Sequence, residues 1–124
     1  MNDLSPLYEK ANQLFFARKN GEAIVCFDDY VRQDPNNEVM WSNRAVVLLN
    51  LKRYDEALSS YDEAIRVKPR EPTNYYDKGF TFEKMGRYKE ALVWYDKALE
   101  ISPDDEHIIK LKSKVLKILN SLIL

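Results

Sequence analysis

Apolar positions along the chain recur with two periods at once. Within segments they fall four and three residues apart, as at Leu7, Ala11 and Leu14, at Trp41, Ala45 and Leu48, and at Tyr75, Gly79 and Phe82, so each set lies on one face of an α-helix. Between segments the pattern repeats every 34 residues. Pro35, Pro69 and Pro103 mark the step, and Ala23, Ala57 and Ala91, then Ile24, Leu58 and Leu92, then Phe27, Tyr61 and Tyr95 keep it. Each repeat reads as two antiparallel helices, because a small residue between two large ones lets the paired helix approach closely. The prolines end the second helix of each pair. Turns within repeats are expected at Asn20-Gly21 and Met85-Gly86-Arg87, where glycine can supply a left-handed helix end; the middle repeat has Lys52-Arg53 there. Ser5 is the expected N-cap of the first helix, with Pro6 in its first turn, and Pro72 plays a similar starting role in the third repeat.

The order large, small, aromatic, then alanine, aromatic, alanine and proline resembles the tetratricopeptide repeat family. It is fullest in Tyr75, Gly79, Phe82, Ala91, Tyr95, Ala98 and Pro103, and clear in Trp41, Ala45, Leu48, Ala57, Tyr61, Ala64 and Pro69. The first copy departs from it, with Tyr30 in place of an alanine and Asn20 where Tyr54 and Tyr88 stand later. The resemblance implies an all-α fold, a right-handed α-α superhelix forming one domain over residues 1–124. Its repeats lie at about 4–37, 38–71 and 72–105, and a capping helix at about 106–121. One helical hairpin cannot bury its apolar face alone, so stacked copies create the core.

In this family the first helix of each repeat lines a concave groove. Carried over by position, the groove comprises Tyr8, Asn12 and Phe15, then Ser42, Asn43, Leu49 and Asn50, then Tyr76, Asp77 and Phe80, with Phe16, Val46 and Phe80 itself divided between groove and core. A well-known subgroup grips the C-terminal carboxylate of chaperones with lysines, asparagines and an arginine. Here Asn12 and Asn43 occupy the asparagine positions, but Tyr8 and Thr73 stand at the lysine positions and Asp77 at the arginine position. An acidic tail would meet a carboxylate instead of a guanidinium, so binding through this clamp is expected to be weak or absent. The remaining surface, aromatic, aliphatic and amide-lined, suits a peptide or helix with apolar anchors.

The last helix brings a second candidate surface. In repeat phase Ile109, Ser113 and Leu116 are expected to dock on the third repeat. Ile108, Val115, Leu119 and Leu122, with Ile123 and Leu124 beyond, would then form an uncovered apolar face. Two readings follow: a partner or a second copy of the chain covers this face, as exposed contiguous apolar patches mark interaction sites, or the helix bends and buries it against its own solenoid. Lys110, Lys114 and Lys117 would extend the groove with positive charge.

Composition narrows the function from the other side. Nineteen basic and twenty acidic residues leave a formal net charge of −1, which gives no electrostatic footprint for nucleic acid and makes a membrane surface a weak alternative. The single cysteine, Cys26, and the single histidine, His107, form neither a disulfide nor a metal-ligand cluster and are expected to be structural. No phosphate loop or nucleophile-base spacing is present, and the acidic pairs Asp28-Asp29, Asp55-Glu56 and Asp62-Glu63 read as solvated helix faces. The expectation is a non-enzymatic, cytoplasmic interaction scaffold that needs no cofactor or metal and binds another protein or peptide. Self-association through the last helix is the alternative.

Overall fold

The structure, a computed structural model, describes residues 3–123. Leu124 lies outside the described residues. Among the described residues there are seven helices and no strand: α1 (Ser5–Phe16), α2 (Asn20–Gln33), α3 (Glu38–Asn50), α4 (Tyr54–Val67), α5 (Pro72–Lys84), α6 (Tyr88–Ile101) and α7 (Glu106–Ile123). Successive helices pack as antiparallel neighbours within two compact units, residues 1–69 with α1 to α4 and residues 70–124 with α5 to α7.

Local chemistry starts and stops these helices differently from expectation at two points. Leu4, not Ser5, is the N-cap of α1, and the Asp3 carboxylate just before it accepts the Ser5 N–H at 3.0 Å, a bond that holds the carboxyl below its ordinary range. Gly21 lies inside α2, and the left-handed residue of the first turn is Arg18 (φ 58°), matched by Lys52 (φ 60°) and Gly86 (φ 74°). The three stand 34 residues apart, so turn geometry follows the repeat even where glycine is absent. In each turn the residue after the left-handed one donates its N–H to a carbonyl five positions back, as Lys19 to Leu14, Arg53 to Leu48 and Arg87 to Phe82 do at 2.9–3.0 Å.

In the first unit Ala11, Ala23, Phe27, Tyr30, Met40, Val47, Leu48 and Ala57 form the core. A polar link runs beside it. Arg44 of α3 donates to Asp28 of α2 at 2.7 Å and to the buried Ser60 hydroxyl of α4, so one guanidinium ties three helices. Asp28 is therefore an interhelical partner as well as part of an acidic face. The α2–α3 connection is held by Trp41 Nε1 and Arg66, both donating to the Pro35 carbonyl at 2.7 Å.

In the second unit α5 and α6 approach closely at Gly79, where a Cβ would sit 2.8 Å from the buried Tyr95 ring and 3.1 Å from the Ala91 carbonyl. Glu83, its side chain only 8% exposed, accepts the Tyr95 hydroxyl at 3.0 Å and the Lys114 ammonium of α7 at 2.9 Å. Lys114 is thus bound within the unit and does not extend a groove.

The faces of α7 are exchanged relative to expectation. Ile108 and Val115 are fully buried, and between them Lys112 pairs with Asp96 of α6 at 2.7 Å. Ile109 and Leu116, 45% and 41% exposed, point to solvent together with Ser113. Leu119 is half-buried, and only Leu122 of the four residues expected to be uncovered is well exposed, at 69%. The reason lies in the two apolar stripes of a first helix. On α3 one stripe, Met40, Arg44 and Val47, turns to the preceding α2, while Trp41, Ala45 and Leu48 have the phase that receives a following helix. Two 34-residue steps later the first stripe becomes Ile108, Lys112 and Val115. By that stripe α7 docks on α6, the helix before it.

Candidate peptide-binding surface

On α1 of the first unit, Tyr8, Asn12 and Phe15 fall four and three residues apart and share one face. Tyr8 and Phe15 are half-buried against the core, as is Leu49 of α3, so these three expected groove residues divide their surface between packing and exposure. Phe16 projects further, at 78% exposure, with its ring edge-on to Phe15 at 5.4 Å between centroids. Ser42 lies half-buried with its hydroxyl donating to Glu38 at 3.2 Å, and Asn50 is exposed.

The two asparagines meet. Asn43 Nδ2 donates to Asn12 Oδ1 at 3.2 Å across the α1–α3 boundary, which leaves the Asn12 amide N–H groups and the Asn43 carbonyl oxygen of this half-buried pair unspent. Neither side chain is spent on its own helix.

Open cavities flank the pair along α1. One, of about 460 Å³, lies by the start of α1 and the end of α2 and is lined by Asp3, Tyr8, Glu9, Tyr30 and Asp34. There the Tyr8 and Tyr30 rings meet edge to face at 6.0 Å, and the Tyr30 hydroxyl donates to Asp34 at 3.3 Å. Burial pushes the Tyr30 hydroxyl above its ordinary range, which keeps it protonated and donating. The other cavity, of about 490 Å³, lies by the end of α1 and is lined by Phe15, Phe16, Arg18, Val46 and Asn50. The Asp3, Glu9 and Asp34 carboxylates pair with no lysine or arginine among the described residues. Sequence reasoning placed Tyr8 on this surface but missed Asp3, Tyr30 and Asp34. The departure of Tyr30 from the repeat's alanine was the available signal.

In the second unit, Tyr76, Asp77 and Phe80 lie half-buried on α5. The Tyr76 ring stands edge-on to His107 of α7 at 5.3 Å, and Lys84 sits over the Phe80 ring at 5.1 Å. Burial pushes the Asp77 carboxyl up to about 7, and no cation is set against it. This is the position at which a carboxylate clamp would carry its arginine. Cys26 is buried, and no group of three metal-ligating side chains occurs among the described residues. Among the described residues no helix is long and apolar enough to cross a membrane.

No curated protein matches the sequence. Solved structures do. The chain is similar to the first tetratricopeptide repeat of Spaghetti (RPAP3) bound to the HSP90 peptide SRMEEVD, with 28% identity over 92% of this chain and 90% of that one and a TM-score of 0.83. It is equally similar to the first such domain of human RPAP3, with 29% identity, 93% and 91% coverage and a TM-score of 0.83. The Sgt2 domain from Aspergillus fumigatus shares the fold at 18% identity, covering 98% of this chain and 82% of that one, with a TM-score of 0.85. The sequence profile of the tetratricopeptide repeat matches residues 37–104, more than half of the chain. With the 34-residue step, the paired helices and the close approach at the small positions, this places the chain in the tetratricopeptide repeat family.

Proposed function

We propose that this chain is a protein-interaction scaffold in which the α1–α3 surface of the first unit binds a peptide or helix of a partner protein. The observation that carries the proposal is the Asn12–Asn43 amide pair set along α1 between two open cavities. Amides with unspent donors and acceptors hold a peptide main chain, while the aromatic walls take its side chains. Similar solved domains carrying peptides, such as that of Spaghetti with its HSP90 peptide, support the same general use. The ligand class differs. Tyr8, Thr73 and Asp77 stand where a carboxylate clamp needs cations, so an acidic chaperone tail is not the expected partner. Tyr76, Asp77 and Phe80 offer a separate contact surface on the second unit.

The test is a selected peptide ligand measured against Asn12→Ala, Asn43→Ala and Tyr76→Ala. A loss of about tenfold for the first two is expected, since each removes unspent hydrogen-bonding groups at a half-buried site. Unchanged affinity in all three refutes the groove.

Exposed Ile109, Leu116 and Ile123 on α7 support a second reading, self-association through that helix. Light scattering of the parent and of Ile109→Glu with Leu116→Glu tests it; a monomer in both removes it.

A further inference from the structure

We infer that the α1–α3 surface selects an extended peptide carrying a basic side chain followed, three residues later, by a large apolar one. This rests on the peptide-binding reading above and names its ligand chemistry. The first cavity combines two tyrosine rings, Tyr8 and Tyr30, with three carboxylates, Asp3, Glu9 and Asp34. Asp3 spends one oxygen on the Ser5 N–H; Asp34 accepts the Tyr30 hydroxyl and the Asn36 N–H; Glu9 is exposed. Each keeps lone pairs to spare, and no internal cation neutralises the three. A guanidinium or ammonium placed there gains charge-assisted hydrogen bonds from the acids and cation–π contact from the half-buried Tyr8 ring, which the buried Tyr30 backs. An acidic side chain meets like charge.

The second cavity has the opposite character. Phe15, Phe16 and Val46 wall it with apolar surface, and Arg18 stands at its rim, so it takes a large apolar side chain and repels a second cation. Arg18 also sets direction, because the negative end of a peptide running away from the basic residue lies toward it. Spacing fixes the register. Tyr8 and Phe15 are seven residues apart on one helix, about 10 Å at ~1.5 Å per residue. A polyproline II segment rises ~3.1 Å per residue and returns to the same face every third, so side chains three apart lie about 9 Å apart and point the same way. The Asn12–Asn43 pair then lies under the intervening peptide bonds, where polyproline II leaves its backbone groups unspent.

The test is fluorescence anisotropy of the whole chain with four dye-labelled peptides. The first places arginine, two prolines and leucine in that order between glycine flanks; the second replaces arginine by glutamate; the third replaces leucine by serine. The fourth is any ligand selected from an unbiased peptide library. The first peptide is expected to bind at least about tenfold more tightly than the second and third. Glu9→Lys, at an exposed position with no partner to lose, should weaken the first by about tenfold or more and narrow its advantage over the second. Phe16→Ala should weaken the first and leave the third unchanged. Equal binding of the first and second peptides, or indifference to Glu9→Lys, overturns the inference. If in that event the library ligand still weakens with Asn43→Ala, the groove stands and only its charge preference is wrong; if that ligand too ignores Asn43→Ala, both readings fall.

Discussion

Truncating Ile108 and Ile109 one at a time separates the two faces of α7. Ile108 is fully buried on the stripe that docks on α6, whereas Ile109 is 45% exposed on the adjoining stripe. Isoleucine to alanine removes three carbons, about 2.4 kcal/mol of transfer free energy at ~0.8 kcal/mol per carbon. At Ile108 the hole is enclosed, and a cavity term of about 1 kcal/mol adds to this. Alanine's better helix propensity returns ~0.4 kcal/mol at either site, leaving a loss of about 3 kcal/mol for Ile108→Ala. At Ile109 about half the transfer term is already absent and no closed cavity forms, so the net loss is below about 1 kcal/mol. Urea unfolding followed by circular dichroism gives both values, and hydrogen exchange of the α7 amides shows whether the helix detaches before the rest. Equal losses, or a larger loss at Ile109, would refute the docking assignment and restore the face expected from repeat phase.

Three further changes probe the same forces elsewhere. Gly79→Ala should destabilise by about 1–2 kcal/mol in urea melts although alanine favours helix, because the added methyl meets the Tyr95 ring at 2.8 Å and that ring is anchored through its hydroxyl to Glu83. Lys52→Gly should stabilise by up to about 1 kcal/mol, since the residue sits at φ 60° where a side chain is strained; no gain in midpoint would count against that strain. Asp77→Asn should raise the melting temperature above pH 7. The folded carboxyl titrates near 7 against an ordinary value of 3.8, so folding favours its protonated form, and stability is lost as pH rises toward 7. The advantage of the asparagine should shrink as pH falls toward 4, and a pH-independent difference would contradict burial as the cause.

The helix pairs were legible because their packing positions keep one chemical type through all three copies: alanine at 23, 57 and 91, an aromatic at 27, 61 and 95. Close approach leaves no alternative there. Three other features were harder to see. Positions 40, 74 and 108 are all buried, yet they hold methionine, asparagine and isoleucine, so the second stripe of the first helices carries no uniform hydrophobic signal and the rotation of α7 went unread. The left-handed turn residues Arg18 and Lys52 were masked by a nearby glycine in one case and by the absence of any glycine in the other. The Arg44–Asp28 and Lys112–Asp96 pairs were written in the chain as basic and acidic residues at one repeat phase, but each partner alone reads as solvated charge.

That contrast bears on where binding resides. A contact between neighbouring repeats meets the same surroundings every 34 residues, so the chemistry that serves it recurs. A ligand has no such period. At the first-helix positions that face outward the copies diverge: Tyr8, Ser42 and Tyr76; Glu9, Asn43 and Asp77; Asn12, Val46 and Phe80; Phe16, Asn50 and Lys84. Stacking does not require these differences, because α1, α3 and α5 form helices of 12 or 13 residues whichever set they carry. They do make each stretch of surface distinct, acidic and aromatic by Tyr8, amide at Asn12 and Asn43, apolar by Phe16. On the proposed peptide-binding reading, a surface graded in this way would fix the register and direction of a bound chain, which a strictly periodic surface could not do. Tyr8, which stands where the clamp subgroup carries a lysine, is therefore the residue at which exchange should change partner choice while leaving the repeat architecture intact, whereas Tyr30, buried in the core, also serves packing.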